Sequence, residues 1–175
     1  MAITSEKIKE LREMTSCGVM ECKRALEEAK GDFSAAQEIL KQRGLEIAAK
    51  KGSRAATEGR IEAYIHAGAK IGVLVEVNCE TDFVAKNSDF VAFTRNLAMH
   101  IAALSPKYIS RDEIPAGELT AEPDPDAYIK EVCLLEQPFI RDSSKSIKDC
   151  LTGLVASIGE NISIRRFARY KVSES

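Results

Sequence analysis

Two histidines and five cysteines are the side chains of this 175-residue sequence best suited to chemistry. A thiol becomes a nucleophile when a base beside it takes its proton. Either His66 or His100, paired with Cys79, would supply such a couple. The plainer reading is one histidine ending a strand, one flanking a helix, and a small cysteine buried as free cysteines commonly are. Cys17, Cys22, Cys79, Cys133 and Cys150 are odd in number and contain no CxxC pair. They fit neither a disulfide framework nor a zinc site, and scattered free thiols point to a reducing compartment. Asp124 and Asp126 can share a cation, but Pro123 and Pro125 beside them mark loop acids, and no metal ligand set is read. The glycines are dispersed, with neither GxxxxGK[ST] nor GxGxxG, so no phosphate cradle is expected. The chain is expected to carry no cofactor and no metal.

The elements that position these residues belong to a globular chain. Hydrophobic residues make up 45% and charged residues 30%, a balance that is neither disordered nor membrane-like, in a length that fits one or two small domains. A net charge of −2 suits a phosphate backbone poorly, and the absence of Trp argues against a stacking platform. No direct nucleic-acid partner is expected. MAITSEKIKELREM has no apolar stretch, and Glu6, Glu10 and Glu13 argue against a transit peptide. No apolar run approaches the ~18 residues of a membrane span. A cytoplasmic protein without membrane contact is expected.

The first fifty residues predict three helices. Thr4 or Ser5 caps the first, with Ile8, Leu11 and Met14 on one face. Thr15 to Gly18 turn, and a second helix runs from about Val19 to Lys30 with Cys22, Ala25, Leu26 and Ala29 inward. Gly31 stops it and Asp32 caps a third, which buries Phe33, Ala36, Ile39 and Leu40 and is interrupted at Gly44. Lys50 to Ser53 form a hinge. The period then becomes two. Ile61, Ala63 and Ile65 share one strand face, Ala67-Gly68-Ala69 turns, and Ile71, Val73, Val75, Val77 and Cys79 alternate on a second strand, as in an antiparallel hairpin. A helical stretch from Thr81 to Leu104, broken near Asn87-Ser88, carries the stripe Phe90, Phe93, Leu97, Ile101 and Leu104. The Pro-rich stretch from Ser105 to Asp126 reads as a surface connection with one capped turn at Ser110. Ala127 to Leu135 is helical. Ser146 caps a helix that Gly159 stops, and Ile162 to Val172 closes the sheet. The class is α+β: a small helical bundle, then a three-stranded antiparallel sheet with helices on one face.

Glu76-Val77-Asn78-Cys79-Glu80-Thr81-Asp82-Phe83-Val84-Ala85-Lys86 marks the corner where a buried strand becomes a helix. Thr81 can cap that helix, and the Asp82 carboxylate in its first turn is favoured by the helix dipole. Phe83 is the anomaly. It either pins the corner or stays outside as an aromatic anchor for a partner's pocket.

This segment resembles the signature of the elongation factor Ts family. Leu11-Arg12-Glu13-Met14-Thr15-Ser16-Cys17-Gly18-Val19-Met20-Glu21-Cys22-Lys23-Arg24-Ala25-Leu26 resembles the family's N-terminal signature, and Gly159-Glu160-Asn161-Ile162 running into Arg165-Arg166-Phe167 is a third match in the same order. The resemblance implies a ubiquitin-associated-like three-helix bundle (residues 1–52) followed by an α+β core (residues 53–175). It implies a nucleotide-exchange factor for the translational GTPase elongation factor Tu, and no enzyme, since no bond is made or broken. Thr81, Asp82, Phe83 and Val84 match the segment that pushes in near the GTPase's bound magnesium and disturbs the ion and the phosphate-binding loop, so that GDP leaves. Gly18, Val19, Met20 and Lys23 match a second contact on the GTPase domain; the structural alternative is that Met20 packs the bundle.

Two positions depart from the pattern. Ser16 stands where the family usually has Gly, and Ile109 to Leu135 is shorter than the helical hairpin of other short members, with a Pro-rich connection and one short helix. A single small sheet leaves an apolar face or edge for another copy, so a homodimer built on the core is expected. An adaptor that binds through the bundle alone is the other reading and would not need residues 81–84. A thiol enzyme using Cys79 is the third.

Overall fold

The computed structural model describes residues 3–15 and 17–173; the departure at Ser16 lies outside the described residues. The chain divides into two compact units, one of Met1–Ala55 with Thr152–Asn161, the other of Ala56–Leu151 with Ile162–Ser175. The sequence reading placed Thr152–Asn161 with the second region.

The first unit opens with three helices, α1 (Ser5–Thr15), α2 (Val19–Glu28) and α3 (Phe33–Lys51). Their core is Leu11, Cys22, Ala25, Leu26, Ala36 and Leu40, with Ile8, Phe33 and Ile39 packed around it. Met14, read as inward, is exposed. Asp32 caps α3 by accepting from the Ala35 N–H at 2.9 Å, and the Gly31 N–H closes α2 on the Leu26 carbonyl at 2.8 Å. The expected break at Gly44 does not occur: α3 runs through it to Lys51. Gly44 is buried, and a Cβ there would meet Thr152 Cγ2 at 3.5 Å and Ala156 Cβ at 3.7 Å. Its lack of a side chain serves close helix packing, not helix termination.

The second unit is built on the antiparallel sheet β1 (Glu58–Ile65), β2 (Ile71–Cys79) and β5 (Ser163–Lys171), in the order β1-β2-β5. Val73, Val75, Val77 and Cys79 are buried on one face of β2. Register places Glu62 opposite Val75, and Val75 opposite Phe167. Ile61, Ala63 and Ile65 do share a face, but it is the opposite one, and it is exposed. Glu62 takes the covered side at 8% exposure, its carboxylate accepting from Arg60 Nε at 2.8 Å. At Gly59 (φ +153) a Cβ would collide with the Val77 carbonyl oxygen, so the start of β1 requires glycine.

Helices α4 (Asp82–Ala85) and α5 (Ser88–Leu104) follow β2, and α5 buries Phe90, Leu97 and Ile101 of the expected stripe, while Leu104 is exposed. The region read as a surface connection with one capped turn also holds α6 (Ala116–Ala121), and α7 (Pro125–Val132), the helix expected from Ala127, follows it, so a helical pair is present. Ile114, Ile129, Val132 and Cys133 form its core. Both tyrosine hydroxyls there donate to one carboxylate: Tyr108 to Glu118 Oε1 at 2.9 Å and Tyr128 to Oε2 at 2.5 Å. These bonds hold Glu118 below the usual carboxylate range, and the same contact pushes Tyr128 up to about 12. A two-stranded ribbon, β3 (Pro138–Phe139) and β4 (Asp142–Ser146), precedes α8 (Ile147–Ile158) and has no counterpart in the sequence reading. Ser146 and Asp149 cap α8 reciprocally, at 3.0 and 3.1 Å. The first five residues of α8 belong to the second unit and the rest to the first.

Candidate functional site

The corner between β2 and α5 is fixed by hydrogen bonds on both sides. The Asn78 amide donates to the Ala56 carbonyl at 3.3 Å, and the Cys79 thiol to the Thr81 carbonyl at 3.1 Å. Thr81 keeps extended backbone angles, and its hydroxyl accepts from the Val84 N–H at 3.4 Å, which starts α4. After one turn the chain leaves the helix at Lys86, and the Asn87 side chain accepts from the Asp89 and Phe90 N–H groups at 2.8 and 3.4 Å to start α5. Each such cap is worth about 1 kcal/mol, and two within seven residues leave the intervening turn little freedom.

That turn points Val84 inward and Phe83 outward. Val84 is buried, whereas Phe83 is 81% exposed. Of the two sequence readings, the pin is Val84, and Phe83 is free of the core. Asp82, also exposed, accepts from Lys86 Nζ at 2.7 Å. This bond holds the Asp82 carboxyl below its ordinary range and pushes Lys86 up. The sequence reading named Asp82 but passed over Lys86, although their i,i+4 spacing on a helix was the signal for the pair.

In the first unit Gly18 caps α2 with extended backbone (φ −63, ψ 147) and no side-chain bond. Next to it Val19 and Met20 are 50% and 58% exposed. Lys23 is exposed, 3.9 Å from Glu27. The bundle is filled from the other side of α2 by Cys22, Ala25 and Leu26, so Met20 is not core. Gly18, Val19, Met20 and Lys23 therefore form one surface, with the exposed Met14 on α1 as a further apolar group of the same unit.

The thiol–histidine couples are not assembled. Cys79 is buried on its Thr81 contact. His100 is buried, its Nδ1 accepting from the Ile140 N–H at 3.3 Å while Nε2 donates to Gln137 Oε1 at 2.9 Å. Burial pushes His100 below its ordinary value, so it sits in the fold as a neutral ring. His66 bonds the Tyr64 hydroxyl at 3.0 Å, and Asp124 caps α7 by accepting from the Ala127 N–H at 3.0 Å. Among the described residues no helix is long and apolar enough to cross a membrane.

The sequence model of the family Elongation factor TS matches residues 3–124. The chain is 50% identical to elongation factor Ts of Carboxydothermus hydrogenoformans, over 98% of this chain and 90% of that protein. It is 49% identical to elongation factor Ts of Acetivibrio thermocellus, over 98% and 91%, and 47% identical to that of Geobacter sulfurreducens, over 99% and 91%. The first two alignments span 195 residues against the 175 of this chain, so each relative has at least 20 positions (195 − 175) without a counterpart here. A match over this much of the chain shows that it belongs to the elongation factor Ts family.

Proposed function

We propose that this chain is the nucleotide-exchange partner of elongation factor Tu and acts by inserting the α4 turn, Thr81 to Val84, beside the GTPase's bound magnesium. The observation that carries the reading is Phe83: a large aromatic ring, 81% exposed, held out on a turn capped at both ends. A rigid exposed aromatic binds with little ordering cost and is a typical hot spot. Asp82 brings a carboxylate to the same turn. Magnesium and the phosphate-loop amides together hold the diphosphate in such GTPases. A partner that prefers the form lacking these contacts weakens nucleotide binding by its differential affinity. The coupling is reciprocal: nucleotide weakens the complex equally, and GTP displaces the exchange factor. The surface of Gly18, Val19, Met20 and Lys23 provides the second contact on the GTPase domain.

The exposed sheet face supports a homodimer as the working form. Ile61, Ala63 and Ile65 of β1, Leu74 of β2 and Tyr170 of β5 lie on it uncovered, beside one ion pair, Arg166 Nε to Glu76 Oε2 at 2.6 Å. An apolar face of this kind marks an interaction surface.

The decisive experiment is release of a fluorescent GDP from elongation factor Tu, with and without this chain. Faster release that depends on Phe83 supports exchange by the corner. Binding that survives Phe83→Ala unchanged but disappears when the helical bundle is deleted supports the adaptor reading instead.

A further inference from the structure

Cys17 and Cys22 flank the turn that starts α2. The Gly18 carbonyl accepts from the Cys22 N–H at 3.0 Å, so Gly18 is the cap, Cys17 stands just before it and Cys22 lies one turn into the helix. Side chains at those two positions pack against each other across a helix start. The Cys22 Sγ is 3.8 Å from the Cys17 carbonyl oxygen and 3.8 Å from the Thr15 hydroxyl. Cys17 is tied to the same threonine: its N–H donates to Thr15 Oγ1 at 3.4 Å and its thiol to the Thr15 carbonyl at 3.7 Å. The Thr15 hydroxyl itself donates to the Leu11 carbonyl at 2.7 Å, which anchors the cluster to α1. The two thiols differ in access. Cys22 is fully buried, and burial pushes its thiol up. Cys17 is half-buried, packed on the same core and open to solvent on its other side.

We propose that Cys17 and Cys22 are a reversible redox pair, joined into a disulfide by exchange with a low-molecular-weight disulfide. The Cys17 thiolate attacks one sulfur of the small disulfide, breaks its S–S bond and releases one small thiol. The Cys22 thiolate then attacks the Cys17 sulfur of the mixed disulfide and displaces the second small thiol. Two protein thiols are oxidised to one disulfide, the small disulfide is reduced to two thiols, and the two protons pass to those thiols. Access sets the order, since the solvent-facing Cys17 meets the reagent and the buried Cys22 meets Cys17. Transient bonds of this kind are the form disulfides take where thiols are kept reduced. The bond sets the sulfurs about 2.05 Å apart, closer than any non-bonded contact, so the chain between them must shift. Cys22 is held by the core around Ala25 and Leu26. The turn from Gly18 to Met20 is exposed, and a Cβ on Gly18 would meet nothing within 4 Å, so this turn is the part that moves, carrying Val19 and Met20. On the exchange reading this surface is the second contact with the GTPase, and the bond makes that contact redox-sensitive; the pair itself does not rest on that reading.

The test treats the full, reduced chain, dilute and with its methionine methyl groups isotopically labelled for NMR, with oxidised glutathione. The folded chain is expected to lose two thiols, with the new bond mapped by peptide mass spectrometry to Cys17 and Cys22 and both thiols restored by dithiothreitol. The Met20 methyl signal is expected to shift on oxidation, while that of Met99, in the other compact unit, stays in place. Cys22→Ala removes the second nucleophile and is expected to stop at glutathione held on Cys17. Cys17→Ala is expected to leave Cys22 a thiol under the same treatment, and it changes the half-buried member of the pair, so it tests the proposal even if the Cys22 variant fails to fold. The proposal is overturned if the unmodified chain keeps glutathione on Cys17 without resolving it, or if the bond maps to another pair. It is also overturned if Cys17→Ala loses two thiols as readily as the unmodified chain, or if the bond forms and Met20 does not shift.

Discussion

Lys86 Nζ lies 2.7 Å from Asp82 Oδ2, an i,i+4 pair that brackets Phe83 and Val84 on the single turn of α4. Both partners are exposed, so the pair steers the carboxylate more than it stabilises the fold. Asp82→Ala is expected to leave the melting temperature almost unchanged and to slow GDP release from elongation factor Tu, most visibly when magnesium is scarce. Lys86→Ala keeps the charge of Asp82 and only frees it, and is expected to slow release less. Because the lysine holds the Asp82 carboxyl below its ordinary range, the group is ionised throughout the neutral region, and the rate is expected to show no Asp82 titration between about pH 6 and 8. Stopped-flow release traces on the two variants check both points; equal losses would mean that the carboxylate acts only through its lysine.

Phe83 and Phe90 give a paired test within eight residues. Phe90 is fully buried and Phe83 is 81% exposed. Phe90→Ala is expected to cost about 3–5 kcal/mol of stability, and Phe83→Ala almost none. The exchange rate is expected to order them the other way for protein that remains folded. Loss of a hot-spot aromatic weighs roughly 2 kcal/mol on the complex, a factor of about thirty. A thermal melt beside a GDP-release trace decides it. A large fall in melting temperature for Phe83→Ala would return the ring to the core.

This corner was legible in sequence because its signals are local. Thr81 and Asn87 are cap residues at the right offsets, and the change from period two to helical period locates the bend. The exposure of Phe83 was open between two readings, since whether an aromatic at a bend turns in or out depends on what its neighbour does; here Val84 fills the inward position. On β1 the alternation of Ile61, Ala63 and Ile65 fixed their parity but not which side α4 and α5 would cover. That side was decided by pairing with β2, where Val73, Val75 and Val77 face the helices. Gly44 misled because a glycine's low helix propensity is visible in sequence, while a close-packed partner about a hundred residues away is not. The helix α6 was hidden by the prolines around it, and its anchors, Tyr108 and Tyr128 on Glu118, are tertiary.

The exposed sheet face predicts a specific test of the proposed homodimer. Ile65 and Leu74 lie uncovered on adjacent strands. Ile65→Lys with Leu74→Lys puts two charges on that face and is expected to give a folded monomer by light scattering, against the dimer proposed for the unmodified chain. A dimer that survives the double change would have to use another surface.

Gly44 gives a prediction of gain. In the interior of α3 a glycine costs roughly 0.5–1 kcal/mol relative to alanine. An added Cβ would sit 3.5 Å from Thr152 Cγ2 and 3.7 Å from Ala156 Cβ, ordinary van der Waals separations. Gly44→Ala is therefore expected to raise stability by about that amount in a urea titration. Gly44→Leu is expected to lower it, because the larger side chain must push α8 away.

His100 sets a pH dependence whose sign follows from its bonds. In the fold its Nδ1 accepts from the Ile140 N–H and Nε2 donates to Gln137, so the ring must stay neutral. Burial holds its folded-state value below the ordinary 6.5. A depressed folded value means that the contribution of His100 is fully present above about pH 6.5 and is lost as pH falls from there through the folded value, while the unfolded chain takes up the proton first. Urea midpoints are expected to fall between pH 7.5 and 5.5, before most carboxylates titrate. His100→Gln loses the ring's packing and is expected to be less stable at pH 7.5, yet flatter over the same interval. If the variant's midpoint fell with pH as steeply as that of the unmodified chain, some group other than His100 would have to carry the slope.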